Sequence, residues 1–276
     1  MRNILRADIY RLVRGKSLYI TFAVLLGVVL LQILSGANMN AGVSTGSFVE
    51  MDNMENMMEA EINLDDLFHS PTGAEAPFQA MDVTSNILYF MLPLFVIIGT
   101  ADFSSGGAKN TLSGGVSRAK YYASKLILSC IGCTLLLLVY VLFSTLLATA
   151  VNGFGGAFDG AFMSDVLKIF LPQLFLCLAG VCVGHFFVFL FQRSGAFTGV
   201  YIAFLLLPGI VIMLLTLVSD GFVRLYDYEL TMNISSLTQI SAMSAGEIAR
   251  TVAVGTGYII AAAIGGYALF KRAEIK

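Results

Sequence analysis

Four cysteines, two histidines and two short glycine motifs are the residues of this chain with the most obvious chemical use. Cys130 and Cys133 stand as a CxxC pair, with Cys177 and Cys182 further on. Thiolates at that spacing bind zinc or exchange disulfides, but a metal site needs a full ligand set. No histidine or carboxylate lies near them in sequence, and all four sit inside apolar runs. They read as small apolar side chains of membrane helices, and no metal site is expected. Gly15-Lys16-Ser17 ends like a phosphate-binding loop, which needs a glycine five residues before its second glycine. Position 10 is Tyr10, so nucleotide binding by this chain is not expected. Gly42-Val43-Ser44-Thr45-Gly46 matches GxSxG, but a nucleophile elbow needs a strand-turn-helix for which this segment has no room. No HExxH occurs. The expected catalytic set is empty, and the chain is not expected to be an enzyme.

His185 is one of only two histidines and falls toward one end of a long apolar stretch. An ionisable residue there is a candidate for substrate binding or proton relay. No acidic residue lies in any span centre to pass a proton on. Helix packing is therefore the favoured reading of His185.

These residues sit in a chain whose composition points to lipid. Of 276 residues, 57% are hydrophobic and only 12% are charged, against about 25% charged in a soluble domain. The mean hydropathy is +0.83. A net charge of -2 offers no general attraction for nucleic acid, and no such partner is expected. About 20 apolar residues carry a helix across a bilayer. Six stretches qualify, near 17–36, 86–101, 126–150, 166–191, 198–218 and 251–270. The expected fold is therefore an all-α membrane protein with six transmembrane helices, a single transmembrane domain over 1–276. Pro93, Pro172 and Pro208 fall inside spans, where neighbouring helices can satisfy the freed carbonyls.

Thirteen of the 16 basic residues lie on alternate connections. By the positive-inside rule both termini and two short loops are cytoplasmic. The opposite side is acidic: 37–85 carries nine carboxylates and no Lys or Arg. Residues 1–16 read as an amphipathic interfacial helix rather than a cleaved signal, with Ile4, Leu5, Ile9, Leu12 and Val13 on one face. Within 37–85, Met51, Met54, Met58 and Ile62 recur at helical spacing beside Asp52, Glu55 and Glu59. Such a stripe suits a cationic amphipathic peptide or covers the bundle top. Ala253, Gly257, Ala261 and Gly265 form a small-residue stripe, and Gly180 and Gly184 form GxxxG; both predict close helix contact. The segment 219–250 reads equally as a plain outer loop or a re-entrant element, with Arg224 and Arg250 placed to pair with Asp227, Glu229 or Glu247.

The segment 102–125 concentrates four positive charges among Gly and Ser. Asp102 and the serines after it can cap a short helix through Lys109 and Leu112, and Gly114-Gly115 would stop it. Ser117 then caps the next helix, which carries Arg118, Lys120, Tyr121, Tyr122 and Lys125 into the membrane.

"DFSSGGAKNTLSGGVSRAKYYASKLI" resembles the first cytoplasmic loop of bacterial type-2 ABC export permeases. The matching order is Asp102, Gly106 or Gly107, Lys109, Leu112, Ser117, Arg118, Tyr121 or Tyr122, and Lys125. Asp102 stands where Glu is common, and Gly107-Ala108 replaces bulkier residues. The amphipathic start, six spans and short basic end extend the likeness over the chain. Similar permeases serve bacitracin resistance, lantibiotic immunity and export of phenol-soluble modulins. The resemblance implies a coupling helix at 102–125 that docks on a separate ATPase, with Asp102, Lys109, Leu112, Ser117 and Arg118 as coupling residues. It implies two permease copies with two ATPase copies, ATP and Mg bound by the ATPase, and no cofactor in this chain. It implies a multi-pass protein of the bacterial cell membrane that exports amphipathic or antimicrobial peptides. Met51, Met54, Met58, Glu55, Glu59 and His185 are the candidate substrate residues. The competing readings are an ion- or proton-coupled secondary transporter and a non-transporting anchor or sensor.

Overall fold

The computed structural model describes residues 2–35 and 70–273. The acidic stretch with Met51, Asp52, Met54, Glu55, Met58, Glu59 and Ile62 lies outside the described residues. All regular elements among the described residues are helical. They are α1 (Arg2–Arg14), α2 (Lys16–Ser35), α3 (Ala76–Asp82), a broken span (Thr84–Ser104), α4 (Gly107–Ser113), α5 (Arg118–Asn152), α6 (Gly160–Phe191), α7 (Ser194–Thr216), α8 (Leu230–Ser236) and α9 (Ala245–Arg272). Six of these, α2, the broken span, α5, α6, α7 and α9, are long and apolar enough to cross a membrane. Leu31, Leu142, Leu146, Leu171 and Ile264 stand exposed on them. A contiguous apolar surface of this kind belongs in lipid.

Three of the long helices begin upstream of their apolar runs because polar residues cap them. The Ser117 hydroxyl accepts from the Lys120 amide, and the Asp159 carboxylate accepts from the Phe162 amide. Ser244 and Glu247 form a reciprocal capping box at the start of α9. The helices therefore start at Arg118, Gly160 and Ala245 rather than near 126, 166 and 251.

The second span is not one helix. It passes through a 3-10 turn at Thr84–Asn86, two short α-helical pieces around Met91 and a π-helical turn at Val96–Thr100. Pro93 supplies no amide, and the π-turn adds a second irregularity. Such backbone needs protein cover at membrane depth, and α6 provides it. The central part of α6 is 61% buried, against 22% for α2 and α7 and 17% for α9. Its GxxxG pair makes room for the broken span. A Cβ on Gly180 would meet Leu88 at 2.7 Å, and one on Gly184 would meet Phe95 at 2.5 Å.

Of the small-residue stripe of α9 only Gly265 packs as expected, with a Cβ there 3.4 Å from Phe186. Ala253, Gly257 and Ala261 are exposed, and nothing lies within 4 Å of a Cβ built on Gly257. The buried face of α9 is instead Thr251, Gly255, Ala262, Gly266 and Phe270. Gly255 admits Leu176 and Phe175, and Gly266 admits Tyr122 and Phe186. On α1, Leu5 and Leu12 pack on the core while Ile9 and Val13 are exposed. The five apolar residues expected on one face thus divide between protein and surface.

The segment 219–250 is folded, not a plain loop. A 3-10 stretch, Asp220–Tyr228, runs beside α7, turns at Glu229 and returns as α8 against α6. Leu230 lies 3.4 Å from a Cβ built on Gly180, eleven residues from the end of α6. The Tyr258 hydroxyl donates to the Tyr228 carbonyl at 3.2 Å, fourteen residues from the end of α9. Asp227 and Asn233 also meet Arg250 and Thr251 near the start of α9, so the turn packs toward the end of the bundle away from the basic helix ends. Asn233 and Gln173 hold it there. Asn233 donates to the Asp227 and Glu229 carbonyls and accepts from Thr251, while Gln173 donates to the Met81 and Ile234 carbonyls.

Candidate functional site

The basic ends of the helices converge with α1 and α4 on a buried cluster of charge. Asp8 and Arg11 come from α1, Asp102 from the last turn of the broken span, and Tyr121 and Lys125 from the first turns of α5. The Lys125 ammonium lies 2.7 Å from the Asp8 carboxylate and also pairs with Asp102. Arg11 pairs with Asp102, lies 3.4 Å from Asp8, and donates to the Ile97 carbonyl inside the π-turn at 3.1 Å. The Tyr121 hydroxyl donates to Asp102 at 3.0 Å. Asp8, Asp102 and Lys125 are buried, Lys125 to 1% exposure. Two cations face two anions, so the cluster is neutral as a unit. Burial acts to lower the pKa of Arg11, but the hydrogen bond to Asp102 and the charges of Asp102 and Asp8 outweigh it. Its pKa is raised overall.

This arrangement corrects the role read for Asp102. It does not cap the short helix. The residue before α4 is Gly106, at φ +72°, with no side-chain cap. Asp102 sits one turn earlier, facing inward, and a Cβ on Gly107 would come within 3.3 Å of its carboxylate. Glycine here allows both the left-handed turn and the close approach.

The rest of the segment follows its sequence pattern. Lys109 and Leu112 lie on α4, which ends at Gly114; Gly115 takes φ +87°, and Ser117 caps α5. Ala108 is buried and Leu112 packs on the core, while Lys109, Asn110 and Ser113 face outward. Arg118 is committed within the chain. Its guanidinium donates to the carbonyls of Phe270, Lys271 and Ala273 at 2.7–2.9 Å. A cation there satisfies the unpaired carbonyls that end α9. Both termini are thereby fastened to the two ends of the α4 segment: α1 through Asp102 and Lys125, α9 through Arg118.

His185 is 1% exposed and lies between the rings of Tyr122 and Phe189, at centroid distances of 5.0 and 4.8 Å. It has no surface through which to meet a substrate in this conformation. All four cysteines are free thiols, and Cys133, Cys177 and Cys182 are buried. No group of three or more His, Cys, Asp or Glu among the described residues could hold a metal.

Asp8 and Lys125 were readable as partners only in part. Asp8 falls on the same helical stripe as Leu5 and Leu12, where an acid is out of place unless buried with a cation. Which cation is a tertiary matter. Nothing in this cluster offers a nucleophile or an acid–base pair open to a substrate. What it can do is make α1, the broken span and α5 move together. No family model, curated protein or solved structure matches the chain.

Proposed function

We propose that the chain is the membrane-spanning permease subunit of an ATP-driven exporter, with α4 as the coupling helix for a separate ATPase. The observation that carries this reading is the attachment of α4. A seven-residue helix with an outward polar face lies between two anchored residues: Asp102 before it pairs with Arg11 of α1 and Lys125 of α5, and Arg118 after it binds the end of α9. A push on such a helix reaches several membrane elements at once. The loop's resemblance to type-2 permeases supports the same reading, with the basic end cytoplasmic and ATP bound by the partner. Export of amphipathic peptides is part of the proposal.

Lys109→Glu tests it. The side chain is exposed, so the chain should keep its stability within about 0.5 kcal/mol. Purified from its source membrane, wild-type chain should bring an ATPase with it, and the variant should lose at least tenfold of that ATPase. Equal recovery from both would remove α4 from the contact.

One observation favours a second reading, a proton-coupled transporter. Glu229 is 6% exposed, sits at the turn before α8 and pairs with no Lys or Arg among the described residues. It accepts from Thr231 and the Met232 amide, which also makes it the cap of α8. Glu229→Gln keeps most of that capping shape and cannot exchange a proton. The second reading predicts transport driven by a pH gradient without any ATPase, lost at least tenfold in Glu229→Gln. The exporter reading predicts no such transport even in the wild type.

A further inference from the structure

At the end opposite the charge cluster, a cavity of about 630 Å³ opens between the end of the 3-10 stretch, α8 and the start of α9. That volume is in the range of small-molecule sites. Its charged lining is Asp227, Glu247 and Arg250, and Met232, Met243 and Tyr226 supply much of the apolar wall. Glu229, with no cationic partner among the described residues, is buried two positions from Asp227. The segment 219–250 carries four carboxylates, Asp220, Asp227, Glu229 and Glu247, against two cations, Arg224 and Arg250, and so has an excess of negative charge. Arg250 meets Asp227 through a single contact of 2.8 Å, and both side chains remain over a third exposed. The Arg250 Nε has no hydrogen-bond partner. An arginine that can make a two-pronged bond here makes one. Glu247 spends one carboxylate oxygen on Ser244.

We propose that this cavity binds an amphipathic organic cation, with Asp227 as its anionic contact and Arg250 as the internal cation it displaces. The methionines give an apolar wall that adapts to varied shapes. The ammonium or guanidinium group takes the place of Arg250 on Asp227, and Glu247 adds attraction at the α9 side. The proposal rests on the exporter reading, since it names a substrate class, yet binding itself needs no ATPase. The two can therefore fail separately.

The test uses the full chain in nanodiscs of zwitterionic lipid. The probe is a fluorescent twelve-residue Lys/Leu peptide, with a Glu/Leu peptide as the anionic control and empty discs as the lipid background. Asp227→Asn should weaken peptide binding at least tenfold. Arg250→Gln should strengthen it about threefold, because the internal competitor is gone. Opposite signs are the signature. A merely structural Asp227–Arg250 tether would give loosened folding and the same direction in both variants, and that result overturns the proposal. Glu247→Gln, which keeps the Ser244 cap contact, should weaken binding about threefold and covers the case in which Asp227→Asn misfolds. Dodecylamine, a small amphipathic cation that the cavity should admit, is expected to displace the peptide, and failure to displace it overturns the assignment. Peptide binding no greater than to empty discs, or equal binding of the anionic control, also overturns the assignment.

Discussion

Lys125→Met should destabilise the folded chain by about 3–5 kcal/mol, the usual cost of removing one partner from a buried ion pair. The wild-type ammonium is 1% exposed and is shared by Asp8 and Asp102. Without it, Asp102 still has Arg11 and Tyr121, but Asp8 keeps only the 3.4 Å contact with Arg11. One net negative charge is then left in a buried site. Adding Asp8→Asn to Lys125→Met restores neutrality, since Arg11 and Asp102 remain as a pair. The double variant should therefore be more stable than the single one by half of the loss or more, a non-additive result. Denaturant or thermal unfolding of the purified chain gives the values. Proteolysis near Gly15, where α1 gives way to α2, reports whether α1 has come loose. A Lys125→Met chain as stable as the wild type would reduce the lysine to a topological charge. A double variant worse than the single would show that the two residues do not share a site.

The cluster shows what this sequence makes legible and what it does not. Local signals were sufficient for the segment itself. Gly114-Gly115 end α4, Ser117 caps α5, and Leu112 turns inward, all from residues within a few positions of each other. The six spans follow from hydropathy for the same reason: the solvent is read residue by residue. Asp102 is different. Its position after the span invites a capping role, and only the approach of Arg11, ninety-one residues away, makes it a buried anion. Arg118 likewise looks like one more positive-inside charge until the end of α9 is seen beside it. Glu229 is also a tertiary matter: its burial on the turn before α8 depends on what packs around it, which hydropathy along the chain does not register.

Gly184→Leu and Gly257→Leu should give opposite results, although both glycines belong to small-residue repeats at four-residue spacing. A helix with a period of 3.6 residues carries several such stripes at once, and the repeat does not say which one faces protein. On α9 the stripes through Gly257 and through Gly255 and Gly266 are both rich in small residues. The partner's shape decides between them. Phe186, Phe175, Leu176 and Tyr122 project toward Gly255, Ala262 and Gly266, and nothing projects toward Gly257. A leucine at 257 thus meets open surface, and the chain should keep its stability within about 0.5 kcal/mol. At 184 even a Cβ would lie 2.5 Å from the Phe95 ring and 3.0 Å from Tyr201. Phe95 cannot step aside freely, because it packs edge-on against Phe197 and Tyr201 at 5.7 and 5.4 Å. It also belongs to the broken span, whose irregular backbone depends on cover from α6. Overpacking of this kind costs about 1–3 kcal/mol or more, and here it should also pry the broken span from α6. The check is thermal unfolding of both purified variants, with hydrogen exchange along 84–104. Faster exchange there in Gly184→Leu, and none in Gly257→Leu, is the expected pattern. A destabilised Gly257→Leu chain would mean that the open face of α9 is covered in the intact assembly.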